Sequence, residues 1–107
     1  MSYNKVGDVL VDQGNLADAL KAYRDSLAIA DRLAKADPGN AGWQRDLSVS
    51  YANLANAYRT AGQLPQAREQ LTAGRAIIAR LTETYPDWSQ WKKDLAWFDG
   101  QIAALSK

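Results

Sequence analysis

The side chains able to do chemistry in this chain are carboxylates, amines, guanidiniums and amides, because it contains no histidine and no cysteine. Without histidine, the commonest general acid–base group and the commonest metal ligand are gone. Without cysteine there are no disulfides, no thiolate zinc ligands and no thiol nucleophile. Ser-His-Asp, Cys-His and HExxH centres are therefore excluded. Paired carboxylates remain. Asp8 and Asp12 stand four residues apart, and Asp87, Asp94 and Asp99 are spread over the last segment. Such carboxylates ordinarily form a solvated helix face, and no third group able to orient a water or a metal stands near them in sequence. No EF-hand spacing is present. Gly14-Asn15 and Gly39-Asn40 are turn dipeptides without the following Lys-Ser/Thr of a phosphate loop. Lys92-Lys93 is a pair, not a patch. The expectation is a protein that is not an enzyme and that uses no cofactor and no metal.

Length and charge narrow the partners. The 107 residues suit one domain, taken as 1–107, and 47% hydrophobic with 23% charged residues is a globular composition. The formal net charge is +1. The first 53 residues hold six basic and seven acidic side chains and the rest seven and five, so there is no basic footprint for nucleic acid and no polybasic membrane patch. No apolar run is long enough to span a membrane. Met1 leads into Tyr3-Asn4-Lys5-Val6-Gly7, which has no signal-peptide character. A cytoplasmic location is expected.

The elements that must position any functional side chain emerge from an internal repeat. At an offset of 48, residues 2–48 align with 50–96 without a gap, and thirteen of the 47 pairs are identical, against roughly three expected by chance. They include Gly14/Gly62, Leu16/Leu64, Ala19/Ala67, Leu33/Leu81, Pro38/Pro86, Trp43/Trp91 and Leu47/Leu95. Apolar positions and turn punctuation are what a repeated packing unit preserves. Each unit reads as two helices. Trp43, Leu47, Tyr51, Leu54, Ala55 and Tyr58 trace one helical face, as do Ala67, Leu71, Gly74, Ile78 and Leu81. Gly62 suits a left-handed helix stop, Pro65 a first turn, and Asp37-Pro38-Gly39-Asn40 a turn. The spacing predicts helices over about 2–13, 16–36, 42–61, 64–85 and 88–106, with Asp87 capping the last. The fold class is all-α: five helices in antiparallel pairs stacked as a solenoid.

The run Asn53-Leu54-Ala55-Asn56-Ala57-Tyr58, followed by Gly62-Gln63-Leu64 and Ala67, resembles the tetratricopeptide repeat, and Val6, Gly7, Leu10, Gly14, Leu16, Ala19 and Tyr23 fill the same slots in the first copy. The period of 48 is longer than the usual 34 of that family, so the units resemble the extended-helix arrays of many bacterial proteins. The resemblance implies a right-handed superhelix whose first helices line a concave groove. It also implies a non-catalytic protein- or peptide-binding scaffold or adaptor.

On an ideal helix Arg45, Val49, Ala52, Asn53, Asn56 and Thr60 share the face opposite the Leu47/Tyr51/Leu54/Tyr58 stripe. The equivalent first-copy positions include Lys5, Asp8 and Asp12, and those of the last helix Lys93, Trp97 and Gln101. If these faces line the groove, it is acidic at the N-terminal end, amide-rich in the middle, and basic with a tryptophan at the far end. Asparagine both donates and accepts, which suits an extended peptide backbone. Trp97 lies off the core stripe beside small Gly100 and Ala104, and is either an interaction anchor or packed locally. Some members of the family clamp a C-terminal carboxylate with Lys, Asn and Arg. Here Asn56 matches a clamp slot, but Asn4, Asp8 and Ala52 stand where Lys, Asn and Lys are wanted, so chaperone-tail binding is not expected.

The first helix lacks a counterpart of residues 41–49, so the array starts and stops inside a unit: either a piece of a longer array or a small protein with covered ends. The alternative function is accordingly a self-associating structural segment. A homodimer through the N-terminal helices, with Val6, Val9, Leu20, Leu27 and Ile29 in the contact strip, is the corresponding expectation.

Overall fold

The computed structural model describes residues 16–105, and every described element is helical. The helices are α1 (Leu16–Ala36), α2 (Ala41–Thr60), α3 (Leu64–Thr84) and α4 (Ser89–Leu105). Among the described residues there are thus four helices rather than the five expected; the helix expected over 2–13 lies outside them. Cα atoms of one helix approach those of another within 8 Å only between helices adjacent in sequence. That nearest-neighbour packing defines a solenoid.

The turns explain the antiparallel folding. At the α1–α2 turn the Asp37 N–H donates to the Leu33 carbonyl at 3.2 Å and the Asn40 N–H to the Asp37 carbonyl at 3.0 Å. Asn40 caps α2, its side-chain oxygen accepting from the Trp43 N–H at 3.1 Å. The Gln44 amide then reaches back to the carbonyls of Ala34 (3.2 Å) and Pro38 (3.3 Å), satisfying acceptors that the end of α1 leaves open. The α2 terminus closes as a Schellman motif: the Gly62 N–H donates to the Arg59 carbonyl at 3.0 Å and the Gln63 N–H to the Tyr58 carbonyl at 2.8 Å. Gly62 takes φ 79°, a conformation glycine enters without a Cβ penalty. Pro65 follows in the first turn of α3, where its missing N–H costs nothing.

Two buried clusters hold the helices together. Ala19, Tyr23, Leu54, Ala57, Tyr58 and Ala67 join α1, α2 and α3. Ala55, Leu71, Ile78, Leu81, Trp91 and Phe98 join α2, α3 and α4. Ala19, Ala57 and Ala67 are fully buried, as expected where helix axes approach to about 8–10 Å and leave no room for larger groups. The fully buried Ile78 contributes on the order of 2–3 kcal/mol by removal from water. The Arg24 guanidinium lies 5.7 Å from the centre of the Tyr58 ring and donates to its hydroxyl at 3.0 Å, tying α1 to α2 at the cluster's edge.

One expectation is corrected, and two pairs of repeat-equivalent residues differ in burial. Asp87 does not cap the last helix: α4 begins at Ser89, so Trp88 holds the capping position and its carbonyl accepts from the Trp91 N–H at 3.2 Å. Leu33 and Leu81, equivalent in the repeat, are not equally covered. Leu81 is buried in the second cluster, where Trp91 packs, whereas Leu33 joins neither cluster and stays 41% exposed. Likewise Trp91 is buried and Trp43 only half-buried, although both occupy one repeat position.

Candidate functional site

A hollow of about 460 Å³ lies in a cleft between α2 and α4. Each of these helices packs on α3, and none of the Cα atoms of α2 comes within 8 Å of a Cα of α4. Antiparallel packing therefore leaves the faces of two alternate helices looking at one another across a gap. One wall is Arg45, Val49, Ala52, Asn53 and Asn56, at helical spacings of four, three, one and three residues. The other is Asp94, Trp97, Phe98 and Gln101, with Leu71 of α3 at the base.

Close helix packing sets the base. Gly74 of α3 lies against the Phe98 ring, and a Cβ there would stand 2.7 Å from Phe98 Cε1 and 3.3 Å from the Ser48 carbonyl oxygen. Buried Ser48 turns its hydroxyl to the Arg45 carbonyl at 2.6 Å. Phe98, only 3% exposed, is held by this junction. Trp97 stands edge-on to it, with ring centres 5.1 Å apart at 86°, and keeps 47% of its surface open. No atom lies within 4 Å of where a Cβ on Gly100 would be, so the space beside Trp97 is open.

Polar side chains bridge the cleft at both ends. Arg45 Nε donates to Asp94 Oδ2 at 3.0 Å, and Gln90 Nε2 donates to Asp94 Oδ1 at 2.9 Å. With 40% of the Arg45 side chain and 18% of the Asp94 side chain exposed, this pair is half-shielded from water. At the other end Arg59 Nη1 donates to Gln101 Oε1 at 2.9 Å. The two bridges differ in charge: a carboxylate faces Arg45 and a neutral amide faces Arg59.

Of the groove residues expected from the sequence, Arg45, Val49, Asn53, Asn56, Trp97 and Gln101 meet in this cleft. Thr60 and Lys93 are exposed and do not line it. The Thr60 hydroxyl turns to the Asn56 carbonyl at 2.9 Å. Lys5, Asp8 and Asp12 lie outside the described residues. Asp94 and Arg59 were missed as groove residues. Asp94 had a signal in the sequence: equivalent positions of successive units become neighbours, so Arg45 had to face the vicinity of Lys93 and Asp94. Arg59 had one as well: it stands seven residues, two turns, from Ala52 and so within about 20° of it on an ideal helix.

A smaller hollow of about 140 Å³ lies between the α1–α2 turn and the end of α3, lined by Pro38, Gln44, Ile77, Arg80 and Tyr85 among others. Trp88, 61% exposed, stacks on Trp91 with centres 6.3 Å apart. Among the described residues, no three His, Cys, Asp or Glu side chains are grouped to hold a metal ion, and no helix is long and apolar enough to cross a membrane.

Antiparallel helices each packed on the next, with a cleft between alternate helices, define a helical-repeat fold. The family model described as tetratricopeptide repeat matches residues 1–38 and 47–81, and the chain belongs to that family. The matches include α1 and α3 up to Leu81 and most of α2, and end before α4. No curated protein and no solved structure matches the chain significantly. The family generally mediates protein–protein interaction, and its repeats are a non-catalytic scaffold.

Proposed function

We propose that the chain is a non-catalytic scaffold or adaptor segment that binds a protein or peptide partner in the cleft between α2 and α4. The observation that carries this reading is the wall chemistry: the Asn53 and Asn56 amides on one side face the half-exposed Trp97 on the other across an open hollow. Amides can pair with both the donors and the acceptors of an extended backbone. An exposed, rigidly backed tryptophan supplies the apolar anchor that dominates binding energy. The test is retention of a randomised peptide pool on the immobilised chain. The triple variant Asn53→Ala, Asn56→Ala, Trp97→Ala is expected to lose retention while its melting temperature stays close to that of the parent. Equal retention by parent and variant moves the site elsewhere.

Self-association is the second reading. One observation favours it: Ile29 and Leu33, one turn apart on α1, are each 41% exposed. Leu20 and Leu27 are half-buried against the first cluster, while Val6 and Val9 lie outside the described residues. Sedimentation across a concentration series tests this. A strict monomer throughout removes the dimer, and a mass that rises with concentration and reverts in Ile29→Glu supports it.

A further inference from the structure

Resting on the cleft as the binding site, we infer that it selects a peptide carrying an acidic side chain two residues from a large apolar one. The asymmetry of the two bridges leads to this. At the Arg45 end the guanidinium already faces a carboxylate, Asp94, which is itself held by Gln90. At the Arg59 end the guanidinium faces the neutral Gln101 oxygen, and no carboxylate among the described residues pairs with it at the cleft mouth. A carboxylate displacing the Gln101 amide would exchange a neutral hydrogen bond for a charge-assisted one, the stronger kind.

Geometry sets the spacing. Gln101 and Trp97 are four residues apart on α4, one turn, so they share a face about 6 Å apart along the helix. In an extended peptide, side chains on the same face are two residues and about 6.6–6.8 Å apart. One side chain on Arg59 thus places the next on the same face against Trp97. The Asn53 and Asn56 amides stand on the opposite wall, within the reach of the intervening backbone. The class of partner is a peptide with an apolar residue, any residue, then an acidic residue, in either chain direction.

The probe is a set of end-blocked, fluorescently labelled peptide pools with randomised flanks. They fix Leu-any-Glu, Leu-any-Gln or Leu-any-Lys, with both orders pooled. Blocking the ends removes terminal carboxylates, so retention cannot come from a chain-end clamp. The parent is expected to retain the Glu pool about five-fold better than the Gln pool, the scale of a solvent-facing ion pair, with the Lys pool weakest. Arg59→Gln and Gln101→Glu, the second supplying the carboxylate internally, are each expected to level the Glu and Gln pools while the helical circular dichroism spectrum is retained. Arg59→Lys is expected to keep part of the preference. The preference should also vanish between about 0.01 M and about 1 M salt, as the screening length falls from about 30 Å to about 3 Å. Equal retention of the three pools by the parent, still lost in Trp97→Ala, overturns this inference and leaves the cleft as the site. A Glu preference that survives Arg59→Gln overturns it too, placing the selecting charge elsewhere. Retention of no pool overturns both the selection and the cleft reading.

Discussion

Gly74 of α3 lies so close under the ring of Phe98 of α4 that a Cβ added to it would stand 2.7 Å from Phe98 Cε1 and 2.8 Å from Phe98 Cζ. This contact sets how near α4 approaches α3, and with it the position of the wall carrying Trp97 and Gln101. Gly74→Ala gains about 1 kcal/mol of helix propensity. It also forces apart a packed ring and a backbone carbonyl, an overpacking that costs about 1–3 kcal/mol. The expected outcome is a net loss of stability on the order of 1 kcal/mol, read by urea unfolding. An unchanged or raised midpoint would mean that Phe98 has room to move.

Leu54 is 2% exposed at the centre of the first cluster, where α1, α2 and α3 meet. Leu54→Asp buries a charge there and removes a core side chain, together on the order of 4 kcal/mol or more. Circular dichroism should show an unfolded or barely folded variant. A Leu54→Asp protein as helical and as heat-resistant as the parent would contradict the packing described.

Gly62, at φ 79°, has no atom beyond itself and its chain neighbours within 4 Å of where a Cβ would be, so substitution there tests backbone conformation alone. Gly62→Ala should cost about 1 kcal/mol, because an L side chain meets its own backbone in the left-handed region. Thermal melts of the Gly62→Ala and Gly39→Ala proteins check it. Gly39 sits in similarly open space without positive φ, so its variant should change little.

Arg45 and Asp94 join α2 and α4 across the cleft. Neither is a free groove side chain, so single truncations should lower stability slightly. A double-mutant cycle with Arg45→Ala and Asp94→Ala is expected to give a coupling of about 0.5–1 kcal/mol, falling as salt is raised. Zero coupling at low salt would mean that the bridge closes the cleft without stabilising it.

The helices between Leu16 and Leu105 were largely legible in the sequence, since their periodicity and punctuation are local. Pro65 and Gly62 each have one conformational use, and the Leu47, Leu54, Leu71 and Ile78 stripes can bury themselves only by pairing. The start of α4 was read one residue early at Asp87, because an acidic capping signal competes there with a turn completed through the Tyr85 and Trp88 carbonyls. Equal residues at equal repeat positions are not equally buried, as Leu33 and Leu81 show, because burial depends on what packs alongside and not on the residue itself.

What the sequence determined alone was the chemistry available and the helical face on which it lies. No histidine or cysteine centre could be built, and Arg45, Val49, Asn53 and Asn56 had to share one side of α2. The tertiary structure decided what that side faces. The distance from α2 to α4 is set by α3, through contacts such as Gly74 on Phe98, and no spacing within either helix encodes it. That distance makes Asp94 the partner of Arg45 and leaves Arg59 with the neutral Gln101. A guanidinium on a long flexible stem can serve several faces of its helix, so only the position of the neighbouring helix determines which of them it meets.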